Sequence, residues 1–437
     1  MNKKILLLIL SFVFAASLFY SFYFRIRPQV DARAYDTIAM NIVSGNGYKE
    51  DMSTDIQHDY AIARVGPLYE YFLAGIYKVF GHHYEAVWII QALLRALTAY
   101  LLYLIGLLVF SKEEKKEKMA LWTAGIFGLY PDLVEISAML MTETLYLFLV
   151  CFMFYVFFRY FFQPNNWLVI GLGGIFGLAV LGRPPVLFLL PVIIFYFLKK
   201  KKILATTLFL IAVFAVFTPW TIRNYQVYNK IMPLGAAGNY NFWIGNYHGG
   251  NGEQEQNEEQ QSFLANHKAV EINAESLRQF KNFLCHYPGE FAKITLLRVN
   301  KYFSVIRPMG FWFYQSGLSQ FLFIFLSALT SVFLFIFGLG GFIRAFKSKN
   351  EALYYLLAFT IFTPLIIFIT VVETRYRFQI YPLFAIFSAY FINILGEGKK
   401  WFIDKILWYS ILIVSLNGVV DLILNIEKLK DRLESFF

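Results

Sequence analysis

Long apolar runs recur from one end of the chain to the other. Hydrophobic residues make up 58% of the 437 residues and charged residues only 16%. Many runs reach the roughly 18–20 residues that a helix needs to cross a bilayer. They lack the alternation of apolar and polar residues that marks barrel strands. Because backbone groups in lipid must be hydrogen-bonded within their own segment, the sequence predicts an all-α polytopic membrane protein.

The boundaries of these runs predict about eleven transmembrane helices. They are placed at residues 5–24, 86–110, 119–136, 138–162, 166–182, 184–198, 203–219, 318–343, 352–372, 377–395 and 402–425. Lys3 and Lys4 precede the first run as in a signal peptide, but its length indicates an uncleaved helix. No charged residue is expected at the centre of a span, and no internal repeat is evident. Both features argue against a transporter with ion sites at the midplane.

The distribution of basic residues predicts the orientation. With the N-terminus in the cytoplasm, every strongly basic short loop falls on the cytoplasmic side, as the positive-inside rule requires. These loops hold residues 112–118, 159, 199–202, 344–349 and 399–400. The net charge of +10 therefore reflects topology and not a nucleic-acid surface. We expect a multi-pass protein of the cell (inner or plasma) membrane, in contact with the lipid bilayer and without a nucleic-acid partner.

This topology divides the chain into five parts. Residues 1–24 form the first transmembrane helix, and residues 25–85 form an external loop with interfacial helices. Residues 86–219 contain the second to seventh spans. Residues 220–317 form a large external loop, predicted to be a small, mainly helical cap, and residues 318–437 hold the last four spans and a tail. The unusual polar residues collect on the external or periplasmic face, which is where we expect the active site.

Asp31 follows the first span at the predicted outer boundary of the bilayer, where a short helix begins. A carboxylate at this position can meet a lipid-borne substrate and a soluble one together. The alternative interpretation is a helix cap, because Asp at a helix start stabilises exposed N–H groups. Glu143 lies about 7 Å inside the fourth span, where an acid needs a partner or water.

Five arginines fall on the same predicted face. They are Arg64, Arg183, Arg223, Arg375 and Arg377. A guanidinium is permanently charged, and its planar fork matches phosphate oxygens. Each arginine alone is explained by contact with lipid headgroups. As a set on the side that the positive-inside rule disfavours, they predict a binding site for the phosphate of a lipid donor.

Aromatic residues and metal ligands give weaker signals. Trp220 and Trp243 can stack on sugar rings, although aromatic belts at membrane edges need no ligand. With Tyr35 and Tyr376, they are predicted to line the substrate cavity. The histidines have no metal-binding spacing, and a Gly-x-Ser-x-Gly nucleophile motif is absent. The metal requirement stays open, with a divalent cation as one candidate cofactor.

Several motifs occur together in a characteristic order. They are Asp31-x-x-x-Tyr35, Arg64-Val65-Gly66-Pro67-Leu68-Tyr69, Leu140-Met141-Thr142-Glu143, Gly182-Arg183-Pro184-Pro185, Pro219-Trp220-Thr221-Ile222-Arg223-Asn224-Tyr225 and Glu373-Thr374-Arg375-Tyr376-Arg377-Phe378. On these motifs the chain resembles the polytopic glycosyltransferases of the GT-C class. Within that class, it is similar to bacterial relatives of the protein O-mannosyltransferases and the lipid A aminoarabinose transferase (glycosyltransferase family 39/83-like).

The resemblance implies transfer of a sugar from a polyprenyl-phosphate carrier to a lipid, glycan or protein acceptor, with inversion at the anomeric carbon. It implies that Asp31 is the catalytic carboxylate and that Glu143 has an auxiliary role. Two departures bear on metal binding. The Asp-Glu pair of many relatives is Asp31-Ala32 here, and a Glu-Lys pair of the aminoarabinose branch is Ala63-Arg64.

Two other functions are compatible with the sequence. An O-antigen-type polymerase or ligase also combines many spans with a large external loop, but its key groups would lie chiefly in the later loops. A lipid-sugar flippase or other transporter would need no catalytic carboxylate. Substitution of Asp31 by Asn separates these functions, because only the first depends on this side chain for transfer.

Overall fold

In the computed structural model, helices form most of the chain. The structure describes residues 2–64, 66–236, 238–254, 262–263, 266–306, 317–397, 404–427 and 430, and these contain no strand. The predicted all-α class is confirmed for this part of the chain. The motif residue Val65 and the predicted loop residues Lys399 and Lys400 lie outside the described residues.

The α-helices are numbered in chain order, and three 3-10 helices join them. The α-helices are α1 Asn2–Phe24, α2 Asp31–Val43, α3 Leu68–Phe80, α4 Tyr84–Val109, α5 Lys116–Gly128, α6 Pro131–Ser137, α7 Thr142–Phe162, α8 Asn166–Gly182, α9 Leu190–Lys199, α10 Ile203–Tyr228, α11 Tyr240–Ile244, α12 Ala269–His286, α13 Pro288–Tyr302, α14 Gly317–Ala345, α15 Glu351–Phe362, α16 Leu365–Ile369, α17 Tyr381–Glu397 and α18 Lys405–Leu424. The 3-10 helices are Tyr60–Ala63, Pro184–Leu189 and Thr374–Ile380.

Eight helical segments within the described residues are long and apolar enough to cross a membrane. The other predicted spans correspond to shorter helices. Residues 119–136 are divided between α5 and α6, and residues 166–182 and 184–198 are the short apolar helices Asn166–Gly182 and Pro184–Lys199. The multi-pass architecture is therefore supported, while the count of eleven stays a prediction.

The long helices pack around one large apolar core. Helix α1 packs on α4 and α5, α4 on α7, α7 on α8, and α8 on α10, while α14 packs on α17 and α18. Small residues allow the closest approaches. A Cβ on Gly173 would come within 2.5 Å of the Phe209 carbonyl oxygen, and one on Gly341 within 2.0 Å of the Phe387 carbonyl oxygen. Close backbone packing through glycine is the usual mode of association between transmembrane helices.

One expectation about the spans is wrong. Arg95 lies in the middle of α4, a predicted span, and is 4% exposed. Its two terminal nitrogens each donate a hydrogen bond of 2.5 Å, one to the Ser17 hydroxyl of α1 and one to the Gly128 carbonyl at the end of α5. A buried guanidinium needs such acceptors. The Arg95 guanidinium therefore links α4 to α1 and α5.

The predicted cytoplasmic loops lie together at one end of the bundle. The Lys115 ammonium lies 3.1 Å from a Glu397 carboxylate oxygen at the end of α17, and Lys200 lies 3.0 Å from Glu351 at the start of α15. This shared end agrees with the positive-inside pattern. Which side of a membrane it faces stays a prediction.

At the opposite end, α2 and α3 pack against each other. The Asp36 carboxylate of α2 accepts hydrogen bonds from the hydroxyls of Tyr77 and Tyr84, at 2.6 and 2.8 Å. The His82 imidazole lies 2.9 Å from the same carboxylate. These bonds fix α2, and with it Asp31, on the ends of α3 and α4.

The predicted cap region also contacts this end. In α13, the buried Arg298 guanidinium donates to the Phe368 carbonyl at 3.0 Å and to the Asn246 side chain at 2.8 Å. The Val372 N–H donates to the Gly252 carbonyl at 3.0 Å. The predicted cap region is thereby bonded to the segment that leads into the Glu373–Arg375 motif.

Candidate active site

Asp31 is the first residue of α2, and its carboxylate turns towards arginines. Val30 precedes it with a φ of 46°, a conformation that is costly for a β-branched residue. Val30 is the cap residue of this helix and makes no side-chain cap bond, and Asp31 lies in the first turn, where its charge favours the helix dipole. Asp31 also accepts a 2.8 Å hydrogen bond from Arg375, and an Arg64 nitrogen lies 3.6 Å from its other oxygen.

Arg375 lies at the start of the 3-10 helix Thr374–Ile380 and contacts three carboxylates. Besides its bond to Asp31, its Nε donates to Glu373 at 2.7 Å and lies 4.0 Å from Glu143. Its side chain is only 10% exposed. A guanidinium offers donors in several directions, which allows one arginine to hold carboxylates from three separate elements together.

Glu143 and Arg183 form the buried part of the site. Glu143 is in the first turn of α7, and one of its oxygens lies 2.5 Å from an Arg183 nitrogen. Arg183 follows the end of α8 in an extended conformation, which the next residue, Pro184, favours. Its guanidinium also lies over the Tyr376 ring, 5.3 Å from the centroid. The acid predicted to need a partner therefore has one.

Arg64 forms the outer part of the site. Its Nε and Nη2 donate to the two oxygens of Glu50 at 2.8 and 2.5 Å. This two-point contact leaves Nη1 on the side of Asp31. Paired bonds of this kind fix the orientation of the guanidinium plane. Glu50 thus determines how Arg64 is presented to Asp31.

Together these residues form a mixed-charge cluster, which we define by its four carboxylates and three guanidiniums. Its members are Asp31, Glu50, Glu143, Glu373, Arg64, Arg183 and Arg375. Exposure increases outward: the Glu143 side chain is 2% exposed and the Asp31 side chain 23%. Asp31 is therefore better placed than Glu143 to meet a substrate from water.

The arginines also determine the protonation of Asp31. Burial alone raises the pKa of Asp31, but the Arg375, Arg64 and Arg183 guanidiniums outweigh burial and hold this pKa below its ordinary value. Asp31 is therefore ionised at neutral pH and can accept a hydrogen bond from a hydroxyl group.

An open depression lies beside the mixed-charge cluster. Its walls include the Arg33, Thr37 and Asn41 side chains of α2 and the Glu50 side chain. Ala34 also lines it and lies one helical turn from Asp31. Glu50, which holds Arg64, is the member of the cluster that lines the depression, whereas Asp31 is not part of its lining.

Two predicted phosphate-binding arginines lie elsewhere. The Arg223 guanidinium is surrounded by the rings of Tyr48, Trp220 and Tyr228, each centroid 5.2–5.5 Å away. The buried Arg377 donates to the Ser304 carbonyl at 2.6 Å. Neither has a described contact with the carboxylates of the mixed-charge cluster, so their role in phosphate binding stays a prediction.

The four predicted aromatic residues also separate. Tyr376 lies over Arg375 and Arg183, and Tyr35 is buried one turn along α2 from Asp31. Trp220 belongs to the aromatic group around Arg223. Trp243 packs on Phe263, 4.2 Å between ring centroids, in the cap region. Tyr35 and Tyr376 are therefore the two predicted lining residues next to the mixed-charge cluster.

Sequence reasoning missed three acids. Glu373 stands two residues before Arg375, so its motif offered a signal. Glu50 follows Tyr48 in a polar stretch without a recognisable motif. Glu70 follows the Arg64–Tyr69 motif directly and is fully buried in α3. A charged residue on the apolar face of a helix was the available signal for Glu70.

The residues of this cluster fit a bound divalent cation poorly. No group of three or more His, Cys, Asp or Glu side chains able to hold a metal occurs among the described residues. Each carboxylate of the mixed-charge cluster already contacts a guanidinium. A cation would have to displace permanently charged arginines. A divalent cofactor is therefore not confirmed.

Comparison of the fold finds an archaeal oligosaccharyltransferase. The structure of the Archaeoglobus fulgidus oligosaccharyltransferase in complex with zinc and sulfate aligns with a TM-score of 0.54 at 12% identity, covering 94% of this chain and 52% of that one. An oligosaccharyltransferase from the same organism, with an inhibitory peptide and dolichol-phosphate, aligns with a TM-score of 0.49 at 13% identity, covering 93% and 54%. The chain thus spans about half the length of these proteins.

The sequence comparison points in the same direction. The family model described as dolichyl-phosphate-mannose-protein mannosyltransferase matches residues 64–222. This segment contains Arg64, Glu143 and Arg183 of the mixed-charge cluster. No curated protein sequence matches the chain. The resemblance to GT-C class glycosyltransferases is supported by the family model over residues 64–222, and the solved structure shows a likeness of fold.

Proposed function

We propose that this protein is a membrane glycosyltransferase that moves a sugar from a polyprenyl-phosphate donor to an acceptor on the external face, with inversion. The observation that carries the proposal is the contact of Asp31 with Arg375 and Arg64 at the end of the bundle opposite the basic loops. An ionised carboxylate beside guanidiniums provides a base and phosphate-binding groups in one place.

The donor is a sugar phosphate on a lipid carrier. The matching family is named for a dolichyl-phosphate sugar donor, which supports a polyprenyl carrier here. Activated nucleotide sugars are not available outside the cell membrane, so a donor there must arrive on a lipid. Arg64, Arg375 and Arg183 would hold its phosphate. They would also stabilise the negative charge that grows on the phosphate as the sugar leaves.

The reaction is a direct displacement. The acceptor hydroxyl oxygen forms a bond to the anomeric carbon while the bond between that carbon and the phosphate oxygen breaks. The hydroxyl proton passes to Asp31, and the electron pair of the broken bond leaves with the lipid phosphate. Attack from the side opposite the leaving group inverts the anomeric centre. Asp31 then releases its proton to water, and its lowered pKa favours that release.

The acceptor reaches Asp31 from the water-facing side. The depression lined by Arg33, Thr37, Asn41 and Glu50 has the hydrogen-bonding groups that a polar acceptor needs. Glu143 has an auxiliary role, because it holds Arg183 and lies within 4.0 Å of Arg375.

The decisive experiment compares cell-envelope glycans, lipids and glycoproteins by mass spectrometry in cells with the protein, without it, and with Asp31→Asn. We expect one sugar mass to disappear without the protein and to remain missing in the Asp31→Asn cells, although the variant accumulates normally. Full sugar addition by Asp31→Asn would remove the catalytic role of this carboxylate. It would direct attention to the polymerase or transporter alternatives.

A further inference from the structure

Glu70 is a buried acid that the proposed reaction does not use. It lies in the first turn of α3, six residues after Arg64, and its side chain is fully buried. Neither carboxyl oxygen has a hydrogen-bond partner of normal geometry among the residues that the structure describes. An ionised carboxylate in such a place would lose its hydration without replacement.

Polar neighbours surround Glu70 on several elements. From the loop before it come the Arg64 guanidinium, the Glu50 carboxylate and the Tyr48 hydroxyl, from α2 the Tyr35 hydroxyl, and from α3 itself Tyr69 and Tyr71. Arg64 favours the charged form of Glu70, whereas the Glu50 charge opposes it. The positive charge of Arg64 is already engaged by Glu50.

Burial therefore dominates the protonation of Glu70. It raises the pKa of Glu70 from 4.5 to about 8, against the smaller effects of the residue's own backbone N–H, the Tyr48 hydroxyl and Arg64. A neutral carboxyl removes the cost of a buried charge and also leaves the mixed-charge cluster undisturbed.

We propose that Glu70 is a positioning residue that carries its proton at neutral pH and thereby keeps Arg64 directed at Asp31 and Glu50. The Arg64–Asp31 contact of 3.6 Å is longer than the Arg64–Glu50 bonds of 2.8 and 2.5 Å. It is therefore the contact that a third carboxylate would break first. Ionised Glu70 would draw Arg64 away from Asp31 and from the lipid phosphate.

This inference builds on the proposed function, but its first test does not need sugar transfer. Folded protein holds the Glu70 proton between pH 4.5 and about 8, whereas unfolded protein releases it near 4.5. Folding stability attributable to Glu70 is therefore lost as pH rises through this window. Glu70→Gln, which is neutral and of similar size, abolishes that loss.

The first experiment measures the unfolding temperature in detergent as a function of pH. The advantage of Glu70→Gln over the unaltered protein should grow from about pH 5 to about pH 8 and then stay constant. The control is Glu85→Gln, which alters a carboxylate that is 42% exposed at the start of α4. That variant should show no growing difference. A Glu70→Gln difference independent of pH, or failure of this variant to fold, would overturn the inference.

The second experiment tests the link to Arg64, with undecaprenyl phosphate as the probe. Its Kd for the unaltered protein should rise about 3- to 10-fold between about pH 7 and about pH 9.5, as loss of one partly exposed ionic contact predicts. Glu70→Gln should bind equally well at both values. An equal rise in both proteins would contradict positioning of Arg64 by Glu70.

The two experiments distinguish the failures. Suppose that neither protein binds undecaprenyl phosphate, but the difference in unfolding temperature between Glu70→Gln and the unaltered protein grows with pH. The proposal of a lipid-phosphate donor is then wrong, while the proposal that Glu70 is protonated at neutral pH is confirmed. If both proteins bind the probe and the difference in unfolding temperature does not change with pH, the proposal about Glu70 is wrong and the proposal of a lipid-phosphate donor is retained.

Discussion

Arg375 and Arg377 lie two residues apart in one 3-10 helix, yet they enter two different ionic groups. Arg375 joins the mixed-charge cluster, where its partner Asp31 is 23% exposed. Arg377 lies 3.8 Å from Asp132, and both side chains are at most 1% exposed. Successive residues of a 3-10 helix are about 120° apart, so residues i and i+2 point to different sides.

The Arg377 group has the features of a structural contact. Arg377 donates to the Ser304 carbonyl, Asp132 accepts a bond from Ser327, and the neighbouring Tyr130 hydroxyl lies 2.5 Å from Ser331. These bonds join α6 to α14 and to the end of α13. The fully buried ion pair of Arg377 and Asp132 holds helices together. The partly exposed pair of Asp31 and Arg375 can instead exchange partners with a substrate.

The comparison is tested most strongly by matched changes of the two aspartates. Asp31→Asn should reduce sugar transfer about 10²- to 10⁴-fold, the range for loss of a general base, with a smaller loss of unfolding temperature than Asp132→Asn. Asp132→Asn should lower the unfolding temperature, because it leaves a buried arginine without its charged partner. Transfer by membranes and unfolding in detergent give the two readouts. Loss of transfer in a stable Asp132→Asn protein would contradict the distinction.

The arginine pair should divide in the same way. Arg377→Gln should cost about 3–5 kcal/mol of folding stability, as for one partner removed from a buried pair. Arg375→Gln should chiefly weaken use of the lipid phosphate donor, seen as a raised KM for donor. The same measurement on Arg223→Gln tests whether its aromatic surroundings exclude a role in donor binding. Equal losses of folding stability in Arg375→Gln and Arg377→Gln would contradict the distinction between a substrate-binding and a structural arginine.

Glu143 tests the buried side of the mixed-charge cluster. Glu143→Gln removes the charge that holds Arg183 at 2.5 Å, so we expect a reduction in transfer smaller than that of Asp31→Asn. Glu290→Gln, in the cap region and 33% exposed, serves as a control that should retain full transfer. A Glu143→Gln effect as large as that of Asp31→Asn would make Glu143 a second catalytic acid.

The pH dependence sharpens the role of Arg375. Because the arginines hold the pKa of Asp31 below its ordinary value, we expect this carboxylate to stay ionised, and transfer to persist, at lower pH than for an ordinary aspartate. Burial raises the pKa of Asp31, and removal of Arg375 takes away one of the charges that oppose this effect. In Arg375→Gln, transfer should therefore be lost at a higher pH on the acid side of the pH–rate profile. Measured transfer rates at a series of pH values check this shift. An acid side that does not move would mean that another group controls it.

The smallest effect is expected at the basic end of the bundle. Lys200→Ala removes an ion pair in which both side chains are about 40% exposed, with a loss of at most about 1 kcal/mol and unchanged transfer. Unfolding temperature and transfer are measured as for the other variants. A large loss of transfer would show that this end also participates in the reaction.

Much of the fold was predictable from local patterns. Apolar runs indicated the long helices, because a transmembrane helix must satisfy its backbone and cover itself with apolar side chains. Asp31, Arg64, Glu143, Arg183 and Arg375 were predicted as site residues from their motifs, and the structure brings them together. Their sequence positions at helix ends on one predicted face made this convergence accessible without coordinates.

Other features depended on contacts between distant segments. Arg95 was overlooked in its span, since its partners Ser17 and Gly128 belong to two other helices. Glu50 belongs to the mixed-charge cluster through its hydrogen bonds with Arg64, and no local sequence pattern predicts the pairing of these two residues. Arg377 had the same sequence signature as Arg375, so the direction of its side chain could not be deduced from composition or spacing.

The sequence alone determined a polytopic helical chain with acids and arginines at helix ends, because hydropathy and charge order act locally along the chain. Only the tertiary structure decided which charges meet. Asp31 and Arg375 are separated by 344 positions in sequence and lie 2.8 Å apart in space. Such pairing depends on helix packing and side-chain direction, which arise from the whole core and not from any one segment.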